Sequence, residues 1–211
     1  MTNYRKVTAI LITAWFVAVL TASAFHLFST PPGQPPLPLG LAVLVPIAAF
    51  WLWFRSSEQF RQFALALNPR TLTIVQSWRI IGFVFLVLYS YGILPGLFAL
   101  PAGWGDIVIG ATAPLAALAL ADPKHRSSFI FWQVLGILDL VLAIFLGAAD
   151  SFIHPQGIPT SPATMLPLSI IPTFLVPVLL ILHLICIAQA RRWPGVSANR
   201  DSTSALVGAD V

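Results

Sequence analysis

The stretch PLSIIPTFLVPVLLILH, residues 167–183, combines the features that decide the fold class of this chain. It is apolar enough to lie in lipid, yet it contains three prolines and ends in a histidine. An interior proline leaves a backbone carbonyl without its donor, and an imidazole in hydrocarbon needs a polar partner. We therefore predict a bent membrane helix, in which the bend makes room for a bound group held by His183.

The rest of the chain repeats this apolar character. Of its 211 residues 58% are hydrophobic and 9% are charged, whereas soluble domains average about half and about a quarter. Six apolar segments approach the ~20 residues that a helix needs to cross the hydrocarbon core: 7–28, 37–54, 71–94, 103–121, 128–149 and 165–189. The pattern predicts an all-α bundle of six transmembrane helices over residues 1–193, followed by a disordered cytoplasmic tail over 194–211.

The basic residues predict the orientation of this bundle. In a six-span arrangement all of them lie on or near one side of the membrane: Arg5, Lys6, Arg55, Arg61, Arg70, Arg79, Lys124, Arg126, Arg191, Arg192 and Arg200. Because positive charge is retained in the cytoplasm, both termini are predicted to be cytoplasmic. Ala22-Ser23-Ala24 resembles a signal cleavage site, but the apolar run continues to Phe28, so we expect the first span to remain uncleaved.

The segment between the second and third spans has a helical pattern of its own. Within SSEQFRQFALALNP, residues 56–69, the apolar side chains of Phe60, Phe63, Ala64 and Leu67 share one helical face. This pattern predicts a short helix at the cytoplasmic interface. A cytoplasmic extension of the second span remains the alternative.

Polar residues within the spans are the strongest indication of function, because they are costly in lipid. Helical spacing predicts that five of them converge in the cytoplasmic half of the bundle: Gln76, Arg79, Gln133, Asp139 and His183. The structural interpretation is a buried Arg79–Asp139 ion pair, with His183 bonded to a backbone carbonyl. No nucleophile–base pair is evident, so enzymatic activity stays open.

A second group is predicted near the opposite face. His26 ends the first span, and Asp150 and His154 follow the fifth. Asp106, within PAGWGDIVIG (101–110), is expected in the first turn of the fourth span, and the glycines of this motif permit close helix approach. Imidazoles and carboxylates together suit a divalent metal, so His26, His154 and Asp106 form a candidate second metal site.

Four motifs support a family resemblance over roughly residues 70–190: QSWRIIG (76–82), GILPGLFALPAGWGDIVIG (92–110), VLGILDLVLA (134–143) and IIPTFLVPVLLILH (170–183). Together they resemble a group of uncharacterised small bacterial multi-pass membrane proteins. The motif residues are Trp78, Arg79, Gly82, Leu94, Pro95, Phe98, Ala99, Gly103, Asp106, Gly110, Gly136, Asp139, Pro172, Val176, Pro177 and His183. The resemblance implies a bacterial inner membrane, without naming an activity.

The leading functional prediction is a b-type haem protein with His183 as the axial iron ligand. The cofactor-binding residues would be His183, Arg79, Asp139, Gln76, Gln133 and Trp132, with Arg79 facing the propionates. No second histidine lies at matching depth, so the iron would be five-coordinate, ligated by another group, or shared across a homodimer, and the redox partner stays unknown.

Two other functions remain open. The first is a small carrier or channel lined by Arg79, Asp139 and His183, and the second is an assembly or sensory subunit in which these residues are structural. The net charge of +4 is spread between apolar runs, which favours lipid over nucleic acid as the partner. The single cysteine, Cys186, excludes an intramolecular disulfide.

Overall fold

The computed structural model describes residues 3–30, 36–154 and 157–194, and every regular element within them is helical. Six helices there are long and apolar enough to cross a membrane: Tyr4–Ala24, Leu37–Ser56, Pro69–Ser90, Gly96–Leu120, Pro123–Asp150 and Ile171–Ala190. The all-α prediction with six helices of spanning length is therefore confirmed. The predicted tail falls, beyond residue 194, outside the described residues.

The first two spans are α1 (Tyr4–Ala24) and α2 (Leu37–Ser56), and most of their side chains are exposed, as lipid-facing helices require. Polar contacts hold α1 near both ends. Tyr4 Oη donates to Gln59 Oε1 at 3.0 Å, and Ser169 Oγ donates to Ser23 Oγ at 2.9 Å in a buried contact. The first span therefore packs along the bundle through a few specific contacts.

A short helix, α3 (Glu58–Leu65), follows α2. Ser57 separates the two because its backbone is extended, with φ −115° and ψ 109°, and its side chain accepts a hydrogen bond from the Phe60 N–H at 3.2 Å. The Phe60 ring stacks on Trp53 with centroids 3.8 Å apart, and Ala64 is buried beside it. The predicted apolar face thus packs against the bundle, and α3 is a separate helix rather than an extension of α2.

The third span changes its winding where it carries polar side chains. It begins as α4 (Pro69–Val75), tightens into a 3₁₀ turn over Gln76–Gly82 and continues as α5 (Phe83–Ser90). At 1.5 Å per α-helical residue and about 2.0 Å per 3₁₀ residue, Arg79 lies about 16 Å from the start of the span. Its side chain is therefore near the middle of the span, and it is buried.

The fourth span starts earlier than predicted. Helix α6 (Gly96–Leu115) begins after Pro95, accommodates Pro101 in its interior, and continues as a π-helical turn over Ala116–Leu120. At Gly110 this helix lies close against the third span, because a Cβ built on Gly110 would lie 2.7 Å from the backbone nitrogen of Ile80. The motif predicted such a close approach of helices.

The last two spans are built on α7 (Arg126–Ile153) and α8 (Val176–Ala190), and a π-helical turn, Ile171–Leu175, precedes α8. Pro172 lies in that turn and Pro177 in the first turn of α8. Both positions tolerate a missing N–H. The prolines therefore shape the start of the sixth span, a turn or more before His183.

Candidate functional site

A buried ion-pair cluster joins the third span, α6 and α7 at Arg79. Its side chain, 1% exposed, donates from Nε to Asp106 Oδ1 at 2.7 Å and from Nη2 to Asp139 Oδ2. The Nη1 atom donates to the carbonyl oxygen of Gly136 at 3.1 Å. Three elements are thus held by one guanidinium, and we call Arg79, Asp106 and Asp139 the charge cluster.

Glycines make this pairing geometrically possible. A Cβ on Gly105 would overlap the Asp139 carboxylate, and a Cβ on Gly82 would lie 2.7 Å from Asp106 Oδ2. Because neither glycine has a side chain, each carboxylate reaches Arg79 across the neighbouring helix backbone. The GWGD portion of the sequence therefore serves ion pairing as well as close helix packing.

The cluster carries unequal charge. Two carboxylates face one guanidinium, so the formal sum is −1 when both aspartates are ionised. The predicted Arg79–Asp139 pair is present, but the placement of Asp106 in the first turn of a span is wrong. Since α6 begins at Gly96, Asp106 is the eleventh residue of the helix and lies about 15 Å from its start.

A second buried chain of polar contacts runs from α4 through α7 to α8. Thr73 Oγ1 donates to the Pro69 carbonyl at 2.8 Å, so its oxygen is left to accept from Gln133 Nε2 at 3.1 Å. This orientation turns Gln133 Oε1 towards His183 Nδ1, 2.5 Å away, which therefore donates. His183 thus bonds a side-chain amide rather than a backbone carbonyl, and its Nε2 is buried with no hydrogen-bond partner among the described residues.

Gln76 and Trp132 lie beside these two networks. Gln76 Nε2 donates to the carbonyl of Leu179 at 3.2 Å. The Trp132 ring centroid lies 5.8 Å from that of His183, and its Nε1 donates to Thr112 Oγ1 at 3.1 Å. The side chains that the sequence predicted to converge are therefore brought together, although each is engaged by protein groups.

The structure contradicts the predicted haem site. The described parts of the chain contain no group of three or more His, Cys, Asp or Glu side chains that could hold a metal ion. At His183, Nδ1 is engaged by Gln133, and a Cβ built on Gly136 would lie 2.5 Å from Nε2, so α7 occupies the space beside that atom. An axial ligand needs an open face at its nitrogen. Haem b on His183 is therefore wrong.

The second predicted metal site is not assembled among the described residues either. His154 Nδ1 lies 3.1 Å from Asp150 Oδ1 at the end of α7. His26 lies in the turn after α1, and Asp106 pairs with Arg79 in the middle of its helix. The outer residues therefore form one histidine–aspartate pair, without the set of His26, His154 and Asp106 that a metal would require.

A cavity of about 230 Å³ lies between α2, α6, α7 and the start of the sixth span. We call it the outer cavity, because the connecting segment 157–164 lines one end of it and the helix ends near that segment surround it. Its walls are mostly apolar, with Val43, Phe85, Phe98 and Leu140 among them. It reaches inward as far as Asp106.

The cavity is bordered by two carboxylates and one histidine. Its ionisable lining residues are Asp106, Asp150 and His154, and no described lysine or arginine lines it. Arg79 instead borders a space of about 30 Å³ that also touches Asp106. Within the charge cluster the Asp106 side chain keeps 13% exposure, whereas that of Arg79 keeps 1%.

The predicted alternative of a carrier or channel needs the same correction as haem. Asp139 and His183 line neither the outer cavity nor the smaller space. Both side chains are used in contacts between helices, with Arg79 and Gln133 respectively. A polar path lined by Arg79, Asp139 and His183 is therefore not what the helices form.

Sequence reasoning missed the outer cavity and the position of Asp106 beside it. The available signal was Pro95 followed by Gly96, because proline is favoured at a helix start. A start at that point places Asp106 in mid-span. The interpretation instead began the span after Pro101, which α6 accommodates in its interior.

Comparison with known proteins places the chain in a family of unknown activity. No curated protein and no solved structure matches it. The family described as Domain of unknown function (DUF8737) matches residues 36–191, a longer range than the predicted resemblance. The match covers α2 to α8, including the charge cluster and the helices around the outer cavity. Since it spans well over half of the sequence, the chain belongs to the DUF8737 family.

Proposed function

We propose that this protein binds a small, largely apolar molecule within the membrane, in the outer cavity. The observation that carries the proposal is the cavity itself: about 230 Å³, apolar along most of its wall, with a few polar groups at its two ends. Ligand sites in proteins have this composition, in which apolar walls supply affinity and a few polar groups orient the ligand.

The size of the cavity supports a bound molecule over a packing defect. The side chains that line a space of about 230 Å³ have no van der Waals partners across it. A molecule that fills the space supplies those contacts, so binding there is favourable.

The orientation of the chain follows from the charges at the other end. The described connections near the outer cavity contain no lysine or arginine. Nine described lysines and arginines lie at the opposite end of the bundle: Arg5, Lys6, Arg55, Arg61, Arg70, Lys124, Arg126, Arg191 and Arg192. This asymmetry supports cytoplasmic termini, with the outer cavity on the opposite side of the membrane. The aromatic cluster of Tyr4, Trp53 and Phe60 supports α3 at the cytoplasmic interface. The bacterial inner membrane and the homodimer remain predictions.

The binding proposal is tested by filling the cavity. Ala143 lines it, whereas the next residue along α7, Leu142, is 46% exposed on the outer surface of the bundle. The probe is 3,3-dimethylbutan-1-ol, a compact neutral alcohol, measured by saturation-transfer NMR on protein in dodecyl maltoside with empty micelles subtracted. We expect transfer to the native protein and to the Leu142→Trp control, and its loss in Ala143→Trp. Equal signals from both variants would show that the alcohol binds elsewhere.

A further inference from the structure

The geometry points to the chemical class of the molecule: we infer that the outer cavity takes a small organic cation, with Asp106 as its counter-ion. This inference rests on the proposed function, since it names the ligand of the same cavity. It begins from the charge cluster, in which Arg79 donates to Asp106 and to Asp139. One guanidinium neutralises one carboxylate, so the second carries a formal negative charge in the middle of the membrane when both aspartates are ionised.

A charge at that depth is costly, so it is stabilised by a partner of opposite charge. Of the two carboxylates only Asp106 borders the outer cavity. The side chains of Asp106 and Asp139 keep similar exposure, 13% and 16%, so it is the position of Asp106 that distinguishes it. A positive group that enters the cavity therefore meets Asp106 at the inner end. It meets no opposing charge on the way, because no described lysine or arginine lines the cavity.

The walls add a second, independent feature that favours an ammonium group. Phe85 and Phe98 both line the cavity, and their rings form an edge-to-face pair with centroids 5.3 Å apart. Aromatic faces attract quaternary and protonated amines through the ring quadrupole, and the attraction is strongest when the cation is desolvated. Apolar and aromatic walls that lead to a single carboxylate therefore match a cation with apolar substituents.

The outer end of the cavity is consistent with the same ligand class. Asp150 lines it there and is buried, with one carboxylate oxygen 3.1 Å from His154 Nδ1. A protonated His154 neutralises Asp150, and a neutral His154 leaves a second negative charge on the lining. In neither state does the described lining carry net positive charge. An anionic ligand thus has no counter-ion along the cavity.

The experiment compares two molecules of one shape. Choline and 3,3-dimethylbutan-1-ol differ in that a carbon atom replaces the charged nitrogen, so their relative affinity measures the preference for charge. Both are titrated against the full chain in dodecyl maltoside, an uncharged detergent without an ammonium group. The variants are Asp106→Asn, the filled-cavity Ala143→Trp, and Asp122→Asn as a control at the other end of the bundle.

We expect choline to bind about tenfold more tightly than the alcohol, because Asp106 and the two rings attract the charged nitrogen and not the carbon that replaces it. Asp106→Asn should remove most of this preference, whereas Asp122→Asn should keep it. Ala143→Trp should abolish binding of both molecules.

The outcomes separate the two proposals. If the alcohol binds and choline binds no more tightly, Asp106 carries a proton or is fully neutralised by Arg79, and the cation assignment is overturned while the cavity remains a binding site. If neither molecule binds, the proposed function itself fails. Because the decisive comparison uses the native protein, it does not depend on whether Asp106→Asn folds.

Discussion

Replacing Arg79 by methionine should destabilise the protein more than removing the whole charge cluster. The substitution deletes three hydrogen bonds, to Asp106, Gly136 and Asp139. It also leaves two carboxylates together in mid-membrane without a counter-charge. Losing one partner of a buried pair costs about 3–5 kcal/mol, because the remaining charge is uncompensated.

The comparison variant is Arg79→Met combined with Asp106→Asn and Asp139→Asn, which contains no formal charge at the cluster. It loses the same hydrogen bonds, each worth about 1 kcal/mol net, but it leaves no unpaired carboxylate in the membrane. We therefore expect the triple variant to be more stable than the single variant by about 1–3 kcal/mol. Asp139→Asn alone keeps a neutral Arg79–Asp106 pair and should be the mildest of the three.

The assay is reversible unfolding in mixed micelles at neutral pH, with the transition followed by tryptophan fluorescence. The free energy of unfolding should rank native first, then Asp139→Asn, then the triple variant, and Arg79→Met last. A single variant as stable as the triple would refute the reasoning. That result would mean that the two aspartates are readily protonated, and that the excess charge assigned to the cluster does not exist.

Three further substitutions test the packing around the site. Gly136→Ala should lower the free energy of unfolding by about 1–3 kcal/mol, because the new Cβ would lie 2.5 Å from His183 Nε2. The loss should be much smaller in a His183→Ala background, and a double-mutant cycle of unfolding free energies measures this coupling. Gly110→Ala should destabilise the protein by a similar ~1–3 kcal/mol, because the new Cβ would lie 2.7 Å from a backbone nitrogen. Gly40→Ala has nothing within 4 Å of the new Cβ and should stabilise the protein by about 0.5–1 kcal/mol. Equal shifts of the unfolding temperature in the two variants would contradict the close approach at Gly110. Gln189→Leu removes an amide that donates to three carbonyls at the end of α3, so hydrogen exchange there should accelerate about tenfold for ~1.4 kcal/mol lost, while exchange in α1 stays constant.

The parts of the fold that sequence could predict are those set by solvent preference. Apolar runs of about 20 residues must become helices in lipid, because every backbone donor and acceptor needs a partner within its own segment. A charged side chain in lipid likewise needs a partner, so Arg79 was expected to pair with a carboxylate, and Asp139 was the candidate at matching depth. These predictions needed the composition and length of each run, without knowledge of how the helices pack.

The position of Asp106 required more than composition. It depends on whether Pro95 or Pro101 begins the fourth span, and both prolines are compatible with a helix start. The structure retains Pro101 inside α6, which moves Asp106 by about two turns and turns a capping residue into an ion-pair partner. The cavity could not be predicted for a related reason, because its volume depends on how side chains from five of the six spans pack together.

The imbalance of the charge cluster links the fold to the proposed ligand. A one-to-one ion pair would join two of these helices without an excess charge in lipid. The chain instead holds two carboxylates on Arg79, and one of them, Asp106, borders the outer cavity, which extends from the outer connections to mid-span. In proteins, arrangements that are less stable than the alternatives are found mainly at functional sites. A carboxylate that adds excess charge to the cluster, yet borders a space that admits a cation, is therefore best understood as the binding group of that space.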